Sequence, residues 1–220
     1  MKFLTAQAKL VELVQDGVVA EIASGRFAPG VHIRQDQIAQ DLGVSRAAVQ
    51  EALEALRRRG VLRETANRTF EVAPLDLDHV RHVYDVRAVI EGLAFRKAAE
   101  VNPHGAASEG PLHIAAGRRA IERGDVADII DADIAFHEFV YELSGNPLLA
   151  AAMDAHWTET QRVMGEVLLR DEAPSDVWDQ HQAMLDAIVA GDGERAEALA
   201  RRHIEQSAAY MIRRLRGGTA

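Results

Sequence analysis

The sequence predicts a mainly α protein: a small helical N-terminal domain closed by a β-hairpin over residues 1–75, then an all-α antiparallel bundle of about six helices over residues 76–220. Three observations lead there. Apolar residues recur at helical spacing through most of the chain. Five groups of helix breakers cut the second part into helix-sized pieces. Charge divides at the same place: residues 1–75 carry 10 Lys and Arg against 9 Asp and Glu, whereas residues 76–220 carry 15 against 25. A length of 220 residues suits two such domains.

In the first part, Leu10, Leu13, Val14, Val18 and Ile22 mark an amphipathic helix that stops at Gly25 and the turn Ala28-Pro29-Gly30. A short helix from Gln35 to Leu42 follows, with Ile38, Ala39 and Leu42 toward the core. It breaks at Gly43 and restarts behind Ser45, a good N-cap, to run from Arg46 to about Arg59 with Val49, Leu53 and Leu56 inward. Gly60 ends it. Two short runs, residues 61–65 and 69–72, flank Ala66-Asn67-Arg68 and read as a small hairpin, and Pro74 closes the domain. In the second part the breaks fall at residues 102–105, 124–125, 145–147, 173–175 and 191–193, which delimit the bundle.

Composition removes whole classes of chemistry. With no cysteine there are no disulfides, thiolate metal sites, iron–sulfur clusters or cysteine nucleophiles, so any metal must be held by His and carboxylate. No run approaches ~18 uninterrupted apolar residues, and Met1-Lys2-Phe3-Leu4-Thr5 opens no signal peptide, so a cytoplasmic protein is expected. The net charge of −9 argues against nucleic acid only until it is divided: residues 44–70 hold six Arg against three Glu.

Within residues 35–54, the order Ala39, Gly43, Val49 suits two helices that cross closely around a left-handed turn. Ser45 and Arg46 then start the second helix where phosphates and base edges would lie, and a wing follows. The runs Gly25 to Gly30, Ile38 to Arg46, Val49 to Leu53 and Leu56 to Leu62 together resemble the winged helix-turn-helix of GntR-family transcription regulators, across essentially all of residues 8–74. The resemblance implies DNA contact by Arg46 foremost, then Ser45 and Gln50, with Asn67 and Arg68 at the wing tip. It also departs from the family. Gln50 stands where Arg is usual, which suits adenine rather than guanine. Ala47-Ala48 replaces a Thr-Pro-like pair, and Asn67-Arg68 replaces a glycine-bearing tip. Arg57-Arg58-Arg59 reads as a solvated helix end.

In the second part, Asp133 and His137 lie four apart on one helix face. His181 and His203 each lie 11 residues from Asp192, in the turn between two helices, so an antiparallel hairpin sets them at one height. Together they form an N₃O set suited to a divalent metal ion, zinc first, nickel or manganese next. His156 is a competitor left outside the set. Asp133, His137, His181 and His203, with Ser144-Gly145-Asn146-Pro147, resemble the FCD effector-binding domain of the FadR subfamily of GntR regulators. That resemblance implies that Arg87, in Tyr84-Asp85-Val86-Arg87-Ala88-Val89-Ile90-Glu91, grips an effector carboxylate, with Glu91 as its orienting partner and Asn146 at the cavity. On spacing alone, Arg87 and Glu91 read equally as an intrahelical pair.

The implied function is a homodimeric transcription regulator, a repressor or an activator, on a roughly palindromic DNA operator, controlled by a small organic acid at a metal-containing pocket. Ala73-Pro74-Leu75-Asp76 is the expected joint. The rivals are a regulator that answers to the metal itself and a metal-dependent hydrolase; no general base is placed for the latter, and no enzymatic activity is expected.

Overall fold

A computed structural model of the chain describes residues 2–66, 69–170 and 176–217. The chain divides into two compact units, Met1–Leu75 and Asp76–Ala220. Among the described residues the fold is mostly helical, and no helix is long and apolar enough to cross a membrane.

The first unit runs α1 (Lys2–Ala23), β1 (His32–Ile33), α2 (Gln35–Asp41), α3 (Arg46–Arg58), β2 (Leu62–Glu64) and β3 (Phe70–Val72). Val14 and Val18 of α1 pack on Val49, Leu53 and Leu56 of α3, and Phe70 and Val72 close the core from the sheet side. The α2–α3 turn depends on Gly43 at φ +63, a conformation that costs other residues about 1 kcal/mol or more. It lets Val44 N–H donate back to the Ala39 carbonyl at 3.0 Å. Behind the turn, Ser45 Oγ accepts from Ala48 N–H at 3.2 Å and begins α3 as a side-chain cap.

The wing is larger than the hairpin expected from sequence. β1 pairs antiparallel with β3 in register His32↔Glu71, so the sheet has three strands in the order β1-β3-β2. Two residues are too few for an alternating pattern to show. Only the pairing with β3 makes them a strand.

The second unit holds α4 (Leu77–Val101), α5 (Pro103–Arg123), α6 (Val126–Leu143), α7 (Pro147–Leu168), α8 (Val177–Val189) and α9 (Gly193–Gly217), matching the expected bundle of about six helices. Asn102, Asp125 and Asn146 cap α5, α6 and α7 through their side-chain oxygens, so each polar break also starts the next helix. Helix α4 is central, running along α9 and touching α6, α7 and α8. Phe95, Phe136, Trp178, Leu185 and Ile188 fill one end of the core. There α5 and α8 approach closely because α5 presents glycine. A Cβ on Gly117 would come within 1.8 Å of the Trp178 ring, and one on Gly110 within 2.4 Å of Leu185.

Candidate functional site

In the first unit the exposed face of α3 follows from its buried one. Val49, Leu53 and Leu56 point into the core, which turns Arg46 and Gln50, one helical turn apart, toward solvent. Arg46 Nε reaches Asp36 Oδ1 of α2 at 2.7 Å, with both side chains mostly exposed, so the pair is open to exchange with a phosphate. Ser45 is also exposed; its oxygen already accepts the cap bond, and its hydroxyl proton remains to be donated outward. Asn67 and Arg68 lie outside the described residues.

In the second unit three helices bring the four predicted ligands together. Asp133 and His137 come from α6, His181 from α8 and His203 from α9, each offering a ligand atom within 4.8 Å of the others. Asp192 positions the α8–α9 pair: its carboxylate accepts from Arg195 N–H at 3.0 Å and its carbonyl from Ala196 N–H at 2.9 Å, which starts α9 directly after the turn. The His181 and His203 Nε2 atoms then lie 3.3 Å apart, and His181 Nε2 is 3.5 Å from Asp133 Oδ1. Ligand atoms about 2.1 Å from a tetrahedral zinc ion lie roughly 3.4 Å from each other. His137 Nε2 is buried and has no hydrogen-bond partner among the described residues. These observations fit a metal ion.

Electrostatics agree with that fit. Burial, then the neighbouring His203 and His137, pull His181 well below the usual imidazole pKa. Burial, then His137, pulls His203 down to about 3, so both rings are neutral with lone pairs available. Burial pushes Asp133 up, partly offset by His137 and Arg87, which marks a carboxylate short of positive charge. For His137 burial lowers the pKa, but the Glu91 carboxylate outweighs it and the net shift is upward.

The groups behind the ligands are equally ordered. Glu91 Oε2 sits 2.5 Å from His137 Nδ1, and Glu91 Oε1 accepts from Arg87 Nε at 2.8 Å. Burial would raise Glu91, yet Arg87 and His137 hold it at about 2. His203 Nδ1 meets Gln180 Oε1 at 2.9 Å, which leaves Nε2 for the metal. Both arrangements fix ring orientation and tautomer.

A cavity of about 270 Å³ opens onto this cluster, lined by Arg87, Asp133 and His203 together with Trp178, Ser207 and Tyr210. Arg87 is buried, and its Nη1 donates to Thr160 Oγ1 at 3.2 Å while its guanidinium lies over Tyr84 and Trp157. The planar group is therefore held in a fixed attitude at the cavity wall.

Glu91 stands beside Arg87 as the expected orienting partner, whereas Asn146, expected at the cavity, stands elsewhere. Glu91 does not line the cavity; it is fully buried behind Arg87 and His137, because its two oxygens serve those two partners. Asn146 does not line it either. Its Oδ1 accepts from Leu148 N–H at 3.1 Å and caps α7. Trp178, Ser207 and Tyr210 were absent from the expected set, although helical spacing from His181 and His203 points to all three. Gln180 and Thr160 carry no such signal, since their roles depend on which helices become neighbours.

Comparison with known proteins gives the same two parts. A family model of the bacterial regulatory proteins of the gntR family matches residues 10–72, and one of the FCD domain matches residues 82–206. A probable D-xylose utilization operon transcriptional repressor of Paenarthrobacter nicotinovorans is 31% identical, over 90% of this chain and 85% of that protein. The HTH-type transcriptional repressor RspR of Escherichia coli K12 is 23% identical, over 82% of this chain and 79% of its own. Among solved structures, E. coli McbR/YncC has the same fold, with a TM-score of 0.80 at 21% identity over 93% of this chain and 97% of the other.

Proposed function

The chain belongs to the gntR family of bacterial regulatory proteins and carries an FCD domain, and we propose that its hold on DNA is controlled by a small organic acid bound at a metal-containing pocket of that domain. It is a transcription regulator, not an enzyme. In this reading it is a cytoplasmic repressor of the FadR subfamily and a homodimer, each subunit setting its α3 and wing on one half-site of a roughly palindromic operator. Arg46, Ser45 and Gln50 meet the DNA there, with Asn67 and Arg68 at the wing tip.

The observation that carries the proposal is the meeting of Asp133, His137, His181 and His203 beside the buried Arg87 on one cavity. A divalent ion, zinc foremost and nickel or manganese next, would be held by those four residues and would supply a Lewis-acid centre for a carboxylate oxygen. Arg87 then binds the second oxygen, held in its attitude by Glu91 and Thr160. A bare metal sensor has no use for this cavity or for a fixed guanidinium within it. Control of DNA binding requires that acid and operator prefer different conformations, because a ligand indifferent to the two shifts nothing. The D-xylose repressor relative makes sugar-derived acids the first compounds to screen.

The test is the double variant His181→Ala/His203→Ala. Elemental analysis of the purified protein should show loss of stoichiometric metal, and gel-shift titration should show operator binding that no acid releases. Metal retained at one ion per chain would refute the site.

A further inference from the structure

The distribution of charge around the cavity narrows the chemistry of its ligand. Among the described residues that line it, Arg87 is the one lysine or arginine. Its charge is already shared with Glu91 at 2.8 Å. At the end where the His and Asp cluster lies, a divalent ion, Arg87, Asp133 and Glu91 together would leave about one positive charge, since His137, His181 and His203 coordinate as neutral rings. One carboxylate neutralises that end.

The wall that α8 and α9 continue beyond His203 is of different character. Asp176, at the start of α8, lines the cavity, and its Oδ2 accepts from Gln180 Nε2 at 2.8 Å. Gln180 in turn accepts from His203 Nδ1, so Asp176 lies two hydrogen bonds from a metal ligand. On α9, Ser207 and Tyr210 follow His203 by four and seven residues and face the same cavity. At 1.5 Å per residue, their hydroxyls line a path roughly 6 and 10 Å beyond the metal ligand. With Gln206, this wall offers a carboxylate, two amides and two hydroxyls, and no lysine or arginine among the described residues that line it.

Resting on the proposed function above, we infer that the effector is a monocarboxylate whose far end is neutral and bears hydroxyl groups, and that Asp176 selects against a second carboxylate. A hydroxyl at the far end donates to Asp176 and exchanges bonds with Ser207 and Tyr210. A second carboxylate there would face the Asp176 carboxylate with no lysine or arginine beside it among the residues that line this wall, and like charges repel. The class is therefore closer to an aldonic acid or a hydroxy acid than to an aldaric, dicarboxylic or tricarboxylic one.

The experiment uses the full chain loaded with zinc and three probe pairs matched in length: D-gluconate with D-glucarate, 4-hydroxybutanoate with succinate, and 4-(hydroxymethyl)benzoate with terephthalate. Affinity is read by isothermal titration and by thermal shift. The monoacid should bind roughly 3- to 10-fold more tightly than its diacid in every pair that binds. Asp176→Asn keeps an oxygen for Gln180, and Asp176 makes no side-chain cap to α8, so this variant should fold normally and narrow the gap by improving the diacid. A diacid that binds wild-type protein more tightly than its monoacid, or a gap unchanged in Asp176→Asn, overturns the inference and leaves the carboxylate reading standing. Failure of all six probes to bind the zinc-loaded chain overturns the carboxylate reading itself, and this inference with it.

Discussion

Two arginine–carboxylate pairs of nearly equal length show how differently the two units use the same chemistry. Arg46 and Asp36 meet at 2.7 Å with side chains 73% and 68% exposed, whereas Arg87 and Glu91 meet at 2.8 Å with side chains 3% and 0% exposed. In water the first pair contributes little and exchanges easily, which suits the proposed exchange of Asp36 for a phosphate. In the core the second pair cannot separate without stranding a charge, which suits the proposed role of Arg87 as a guanidinium held in one attitude for a ligand. Distance alone says nothing of either role. Burial decides it.

The largest effect should come from breaking the buried pair on one side. Glu91→Ala leaves Arg87 uncompensated and removes the carboxylate behind His137, and should cost about 3–5 kcal/mol of stability in urea unfolding. Its metal affinity should fall about 10- to 100-fold. The double variant Arg87→Met/Glu91→Leu should regain much of the stability and none of the ligand response. If the single variant were as stable as the wild type, the contrast between the pairs would collapse.

Next is the packing that supports the buried side of the contrast. Gly117→Ala drives a methyl into the Trp178 ring, which also lines the cavity. It should cost about 1–3 kcal/mol and shift the tryptophan emission as that ring moves. An unchanged spectrum and melting temperature would mean that α5 and α8 are not tightly apposed. Comparable in size but confined to function, Arg46→Ala should weaken operator binding by about 1–3 kcal/mol in gel-shift titration while circular dichroism stays the same. Operator affinity equal to that of the wild type would sink the proposed docking of α3.

The smallest effect belongs to the other member of the exposed pair. Asp36→Asn should change stability by no more than about 0.5 kcal/mol and should not weaken operator binding, because it only frees Arg46. A loss above 2 kcal/mol would show that this surface pair supports the α2–α3 arrangement after all.

Much of the DNA-reading unit was legible because its signals are local. The Gly43 turn, the Ser45 cap and the 49, 53, 56 stripe each lie within a few residues of what they determine. β1 escaped because a two-residue strand exists only by virtue of β3, 37 residues beyond Ile33. In the second unit the meeting of Asp133, His137, His181 and His203 was legible for a geometric reason: a four-residue interval and equal distances from one turn are local spacings that survive folding. Asn146 shows the limit. A polar residue next to a Gly and before a Pro is as good a helix cap as a ligand contact, and here it is the cap.

The sequence by itself determined where the helices begin and end, which of their faces are apolar, that the chain has an acidic part and a near-neutral part, and that any metal would be held by nitrogen and oxygen. These are properties of neighbours along the chain. Only the tertiary structure decided that Glu91 turns away from the cavity to serve His137, that Gln180 ties Asp176 to His203, and that Thr160 steadies Arg87. Those residues come from five different helices, and whether a polar side chain meets water, a ligand or another side chain depends on which helices become neighbours and how much water they exclude.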